Sequence, residues 1–126
     1  NKALSDKTGE LDFYFRVAGN TSTSAVNMLF KPNAWFREQF PQITFSSRPS
    51  RAAAVSLDDW SAAYKVPRVD YAELDIQCAE YAALSGAKKL LRTMLALTVE
   101  TCLPPGMCDN VGLYPEVLAL LEGLGF

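Results

Sequence analysis

The sequence contains no histidine. This absence removes the commonest general base and every Ser–His or Cys–His nucleophile pair, and it leaves few ways to build a zinc site. Any catalysis must therefore depend on carboxylates, hydroxyls, lysine or a cofactor.

Several other features are missing. No apolar run reaches the ~18 residues that a membrane-spanning helix needs, and the first residues lack the apolar region of a signal peptide. The net charge is −2, and basic residues are not clustered, so we expect no nucleic-acid partner and no membrane span. No Gly-rich phosphate or dinucleotide motif is present. With 126 residues, 49% of them hydrophobic, residues 1–126 are predicted to form a single domain or a domain fragment.

The three cysteines are Cys78, Cys102 and Cys108. An odd number without a Cys-x-x-Cys spacing favours free thiols in a reducing compartment, either the cytoplasm or an organelle interior. A disulfide between Cys102 and Cys108 is the alternative. Cys78 lies near a predicted helix N-terminus, where its pKa could be lowered, although a small packed residue is the other interpretation.

The first half of the chain predicts a strand, a polar segment, a short helix and two weak strands, over residues 11–17, 18–27, 31–41 and 42–55. The polar segment is either a flexible connection or a ligand-binding loop. A helix then begins with Ser56 as N-cap and Asp59 in a capping-box position.

The second half alternates strands and helices over residues 70–76, 78–92, 94–100 and 114–126. Strands separated by a helix are joined by a right-handed crossover, so we predict that Leu74–Ile76 and Leu95–Val99 are adjacent and parallel. This order indicates an α/β fold with a doubly wound sheet.

Carboxylates follow both of these predicted strands, at Asp75 and Glu100. Ligands of open α/β sheets bind outside the carboxyl ends of the strands, so both side chains are candidates for one shared crevice. The alternative is structural: Asp75 caps the following helix near Cys78 or Ala79, or both carboxylates form ion pairs.

The stretch YAELDIQCAEYAALSGAKKLL, residues 71–91, resembles the hallmark of the FkbM-type methyltransferases. In that family a strand reads roughly Asp-Phe-Leu-Lys-Ile-Asp-Val-Gln-Gly-Ala-Glu, and a helix reading Leu-Xaa-Val-Leu-Lys-Gly-Ala follows. The positions that match or substitute conservatively are Asp70, Leu74, Asp75, Ile76, Gln77, Ala79, Glu80, Leu84, Gly86 and Ala87. Two positions depart from the pattern, because Glu73 replaces a lysine and Cys78 replaces a glycine.

Four further stretches resemble the same family in the same order along the chain. They are ALSDKTGELDFY (3–14), VSLDDW (55–60), LALTVET (95–101) and LYPEVLALLEGLGF (113–126). The resemblance therefore covers nearly the whole chain.

The resemblance implies a partial Rossmann-like, class I methyltransferase fold that uses S-adenosylmethionine (SAM). It matches the middle and C-terminal part of the family's domain, without the N-terminal cofactor-binding strands, so SAM is not expected to bind these residues alone. It also implies that Leu4 and Ser5 line the adenine pocket and that Gln77 contacts the cofactor. Asp75 would lie near the methyl donor, and Asp75 or Glu100 would accept a substrate proton.

Two functions remain open. The first is O-methyl transfer to a hydroxyl of a small molecule or glycan, by a domain that is incomplete as given. The alternative is a non-catalytic, methyltransferase-like subunit with a structural or binding role in a larger assembly, which Glu73 and Cys78 favour. In either case we expect the missing N-terminal part, or another protein, to cover the exposed sheet.

Overall fold

A computed structural model describes residues 1–18 and 28–126. The described residues form a mixed α/β fold with small sheets and five helices. The helices are Ala34–Gln39 (α1), Leu57–Ala63 (α2), Glu80–Ser85 (α3), Lys88–Leu91 (α4) and Tyr114–Glu122 (α5). The strands are Ala3–Leu4 (β1), Gly9–Phe13 (β2), Arg16–Ala18 (β3), Thr44–Phe45 (β4), Ser50–Val55 (β5), Tyr71–Leu74 (β6) and Ala96–Val99 (β7).

Strand β5 is the centre of a three-stranded sheet. It pairs parallel with β1 and antiparallel with β2, from Gly9 opposite Ala54 to Phe13 opposite Ser50. The single strand predicted over residues 11–17 is wrong, because Tyr14 leaves this ladder to form a bridge with Met28. The chain then continues as β3, which pairs with β4 in a second sheet.

The polar segment predicted over residues 18–27 lies, apart from Ala18, outside the described residues. Ala18 itself ends β3.

Strands β6 and β7 form a parallel pair, which confirms the predicted adjacency and direction. The predicted bounds Leu74–Ile76 are wrong, because β6 is Tyr71–Leu74 and the chain leaves the strand at Asp75. The register runs from Tyr71 opposite Ala96 to Leu74 opposite Val99. Residues in β6 and β7 alternate between more exposed and more buried positions, so Leu74 is buried while Tyr71 is exposed. One face of the pair therefore packs on the core and the other faces outward.

The helix predicted over residues 78–92 is two helices, α3 and α4, separated at Gly86. A Cβ atom on Gly86 would lie 2.4 Å from the carbonyl oxygen of Ser5, so glycine allows the β1 end to approach the backbone closely. Helix α4 then begins anew, because the Asp58 carboxylate accepts hydrogen bonds from the amides of Lys89 (3.0 Å) and Leu90 (2.9 Å).

The strands of the described residues fall into three separate sheets rather than one. Helices and strands occur together along the chain, which confirms the mixed α/β class. The partial Rossmann-like arrangement, which needs one continuous sheet, stays a prediction.

Two hydrophobic clusters hold the elements together. The first joins the β6–β7 pair to helices α3, α4 and α5 through the buried residues Leu74, Leu84, Ala87, Leu91 and Val117. The second joins α1 to the loops around it through Met28, Phe36, Cys78 and Cys108. Within the described residues, no helix has the length and apolar character needed to cross a bilayer.

Candidate active site

The ends of β6 and β7 bring two carboxylates together. Asp75 directly follows β6 and Glu100 directly follows β7. Because the two strands are parallel and in register, both ends lie at the same edge, and the Glu100 amide donates to the Leu74 carbonyl at 2.8 Å. This edge is where open α/β sheets bind ligands.

The Gln77 side chain links these two carboxylates. Its Nε2 atom donates to Asp75 Oδ1 at 2.7 Å and to Glu100 Oε2 at 3.1 Å. Gln77 (φ 53°) and Cys78 (φ 78°) are both left-handed, a conformation that non-glycine residues seldom adopt. This strained turn separates β6 from α3, as is common at functional sites.

Glu80, the first residue of α3, is the third carboxylate of the site. It is only 5% exposed, and its Oε1 accepts a hydrogen bond from the Ile76 amide at 2.7 Å. One carboxylate oxygen from each of Asp75, Glu80 and Glu100 lies within 4.8 Å of the other two. We call these three residues, with Gln77, the carboxylate cluster.

Capping of α3 by Asp75 was the alternative interpretation, and the Asp75 carboxylate accepts a hydrogen bond from Gln77 Nε2. Ala79 occupies the N-cap position of α3 without a side-chain hydrogen bond, and Glu80 instead binds the preceding backbone. Glu80 lies in the first turn of α3, where a negative charge complements the helix dipole. The signal that could have identified it was its place in the FkbM-like motif.

Two carboxyl groups of the cluster, Glu100 and Glu80, have raised pKa values. A hydrogen bond with Asp75 raises the pKa of Glu100 above its usual range, and partial burial and the charge of Asp75 add to this. Burial raises the pKa of Glu80 and outweighs its backbone hydrogen bonds. Glu80 and Glu100 therefore hold protons more tightly than isolated glutamates do, which suits groups that accept and release protons.

The arrangement could also hold a cation. Three carboxylates with oxygens close together concentrate negative charge, and hard divalent cations bind such oxygens. One residue beyond Glu100, the Thr101 hydroxyl is buried without a hydrogen-bond partner among the described residues.

Leu4 and Ser5, the residues expected at the adenine pocket, make other contacts. Leu4 packs against the cluster that contains Leu74. Ser5 is buried, and its hydroxyl donates to the Asp6 carboxylate at 2.9 Å. Ser5 also lines a cavity of about 400 Å³ together with Leu29 and Phe30. That lining includes no residue of the carboxylate cluster, and the adenine pocket expected at Leu4 and Ser5 stays a prediction.

The thiols of Cys78 and Cys102 are not activated. All three cysteines are free, so the alternative of a Cys102–Cys108 disulfide does not hold. A lowered pKa for Cys78 is also wrong: a hydrogen bond with Cys108 and burial raise its pKa. Burial likewise raises the pKa of Cys102. A nucleophilic thiolate is therefore not the chemistry of this site.

Comparison with known sequences identifies the family. The sequence model of the methyltransferase FkbM domain matches residues 1–126, the whole chain. A search of curated proteins found no match, and a search of solved structures found none. Since the family match spans every residue, the chain belongs to the FkbM methyltransferase family.

Proposed function

We propose that this chain is a SAM-dependent methyltransferase domain that transfers a methyl group to a hydroxyl of a small molecule or glycan. The observation that carries the proposal is the pair Asp75 and Glu100, joined through Gln77 at the carboxyl ends of two parallel strands. The family match adds the reaction, because the family is one of methyltransferases and these two carboxylates could accept the proton of a methyl acceptor.

The described residues suit part of the cofactor. The negative carboxylate cluster would attract a sulfonium cation, and Gln77 offers an amide beside it. Leu11, Leu29 and Phe30 form the apolar part of the cavity beside Ser5, and a purine ring would contact them. The rest of that lining is mostly charged and would face the polar parts of the cofactor. When bound, SAM supplies an electrophilic methyl group.

The chain's own contribution is to position the acceptor and to take its proton. Asp75 or Glu100 accepts the proton of the substrate hydroxyl as the oxygen becomes nucleophilic. The raised pKa of Glu100 makes it a stronger base than an isolated glutamate, and the Gln77 side chain orients both carboxylates through its hydrogen bonds.

We also propose that β6 and β7 belong to a larger, Rossmann-like sheet. Residues 1–126 would then be the middle and C-terminal portion of one domain. The outer face of the β6–β7 pair is exposed, and its residues are Tyr71, Glu73, Ala96 and Thr98. Parallel sheets are usually covered on both faces and avoid open edges. The N-terminal strands of the family's domain, or another protein, would supply the cover. The three free thiols support a reducing compartment.

Calorimetric titration of SAM tests the cofactor assignment. We expect micromolar binding by protein that carries the family's N-terminal strands and none by residues 1–126 alone. The reason is that a Gly-rich turn for the methionine portion and an acidic partner for the ribose are not found in this sequence. Micromolar binding by residues 1–126 would show that the cofactor site is misplaced.

A non-catalytic subunit is the second candidate, and a specific observation favours it. Cys78 stands where the family has glycine, and its buried side chain fills the hydrophobic cluster around Met28 from a left-handed backbone position. Absence of SAM binding even with the N-terminal strands present would select this alternative.

A further inference from the structure

A second cavity, of about 400 Å³, has no residue of the carboxylate cluster among its described lining residues. It is bounded by α1, β4 and the Tyr14–Met28 bridge. Its volume is in the range of small-molecule sites, about 300–1,000 Å³. Its lining differs in charge from the carboxylate cluster, because Lys31 and Arg37 contribute cations and no Asp or Glu is among the described lining residues.

The apolar part of the cavity is formed by rings and an aliphatic side chain. Tyr14, Ile43 and Phe45 are half-buried and line one side. Phe45 also packs on the hydrophobic cluster that contains Cys78. The cavity therefore shares this cluster with the left-handed turn at Gln77 and Cys78. These surfaces suit the apolar or ring-shaped body of a ligand.

The polar part of the cavity has donors that are not fully used. Arg37 donates one hydrogen bond to the Pro32 carbonyl, and a guanidinium carries further N–H donors. The hydroxyl oxygen of Ser46 is buried and has no hydrogen-bond partner among the described residues. A buried hydroxyl left unpaired costs free energy, so a ligand that accepts from it would recover that cost.

We propose that this cavity binds an organic anion, a phosphate or carboxylate attached to an apolar or ring-shaped body. Lys31 and Arg37 hold the anionic group, Ser46 donates to it, and Tyr14 and Phe45 contact the body. The proposal concerns binding alone and does not depend on methyl transfer.

Calorimetry with phenyl phosphate, benzoate and phenol tests this proposal on the full chain. We expect one or both anions to bind, with an affinity that falls as salt rises, and phenol to bind at least about tenfold more weakly. The two anions distinguish a phosphate from a carboxylate ligand. Equal binding of phenol, or no binding of either anion, would overturn the proposal.

Variants then locate the site. Lys31→Gln and Arg37→Gln should each weaken anion binding by about tenfold or more, while Arg92→Gln, which removes an equal charge from an exposed position outside the cavity, should not. Asp75→Asn should bind the anion like the wild type, which separates this proposal from the methyl-transfer site.

Ser46→Ala provides a test that does not depend on charge. Removing an unpaired buried hydroxyl should leave the thermal stability of the free protein unchanged or raised, yet weaken anion binding several-fold. Amide NMR shifts on adding phenyl phosphate should concentrate at Thr44–Ser47. Unchanged affinity in Ser46→Ala, or shifts confined to other regions, would contradict the assignment.

Discussion

Replacing Glu100 by glutamine removes one of two neighbouring negative charges while keeping the shape of the side chain. A glutamine there can still accept from Gln77 and can donate to Asp75, so the hydrogen-bonded link is retained. The raised pKa of Glu100 means that folding disfavours its charged form. Glu100→Gln should therefore stabilise the folded protein at neutral pH.

The size of the effect follows from the separation of the charges. The carboxylate oxygens lie within 4.8 Å of one another, and unit charges at that outer limit repel by about 0.9 kcal/mol in bulk water and about 3.5 kcal/mol at an effective dielectric constant of 20. Asp75 and Glu100 are exposed, so solvent screening places the gain near the lower value, about 1 kcal/mol. For a domain of this size, that corresponds to a rise in Tm of about 3–5 °C.

The stability difference between the wild type and Glu100→Gln should depend on pH. Because the folded-state pKa of Glu100 is raised, the folded protein holds this proton more tightly than the unfolded chain does. The wild type therefore loses stability as pH rises from about 4.5 through the folded-state pKa, and the variant lacks this loss. The two proteins should converge below about pH 4, where Glu100 is protonated in both states.

Urea unfolding of the wild type and Glu100→Gln from pH 3.5 to 8 measures this difference. Glu73→Gln is the matched control, since Glu73 is an exposed carboxylate of β6 outside the cluster, and it should change stability by less than about 0.5 kcal/mol. The reasoning is refuted if Glu100→Gln is less stable than the wild type at pH 7, or if its gain is the same at every pH.

Two further substitutions test the packing that positions the site. Asp58→Ala should lower the free energy of unfolding by about 1–2 kcal/mol in urea titrations, because the amides of Lys89 and Leu90 lose their acceptor; a loss below 0.3 kcal/mol would mean that water replaces the cap. Gly86→Ala should cost about 1–3 kcal/mol, because its Cβ would meet the Ser5 carbonyl oxygen at 2.4 Å; a neutral result in thermal unfolding would show that β1 can move aside.

The local sequence pattern was sufficient to predict that β6 and β7 pair in parallel. Two apolar strands separated by helical residues admit few connections, and the right-handed crossover rule leaves them parallel and adjacent. Their in-register pairing then requires that Asp75 and Glu100 meet at one edge. The site pair was therefore predictable from order and chain chemistry, before any contact was known.

Features that depend on distant contacts were not predictable. A glycine inside a helical pattern is compatible with a continuous helix, and only the approach of Ser5 and the cap from Asp58 show why the helix divides at Gly86. Likewise, a glutamate at a helix start complements the dipole in any protein, and only the Ile76 contact identifies Glu80 as a buried part of the site.

The second cavity illustrates the same limit. Residues near position 14 and residues near positions 31–47 share no sequence pattern that links them. The Tyr14–Met28 bridge and the β3–β4 pairing bring these segments together, and neither strand pair is signalled by strict alternation.

The rate of methyl transfer in Asp75→Asn tests the central claim most directly. The assay uses methyl-labelled SAM, a panel of hydroxyl-bearing acceptors and protein that carries the family's N-terminal strands, with Glu73→Gln as control. If Asp75 serves the reaction, Asp75→Asn should slow transfer by at least about 100-fold without loss of folded protein, while Glu73→Gln remains close to the wild type. Equal rates in the two variants, or a wild type that transfers no methyl group, would contradict the account.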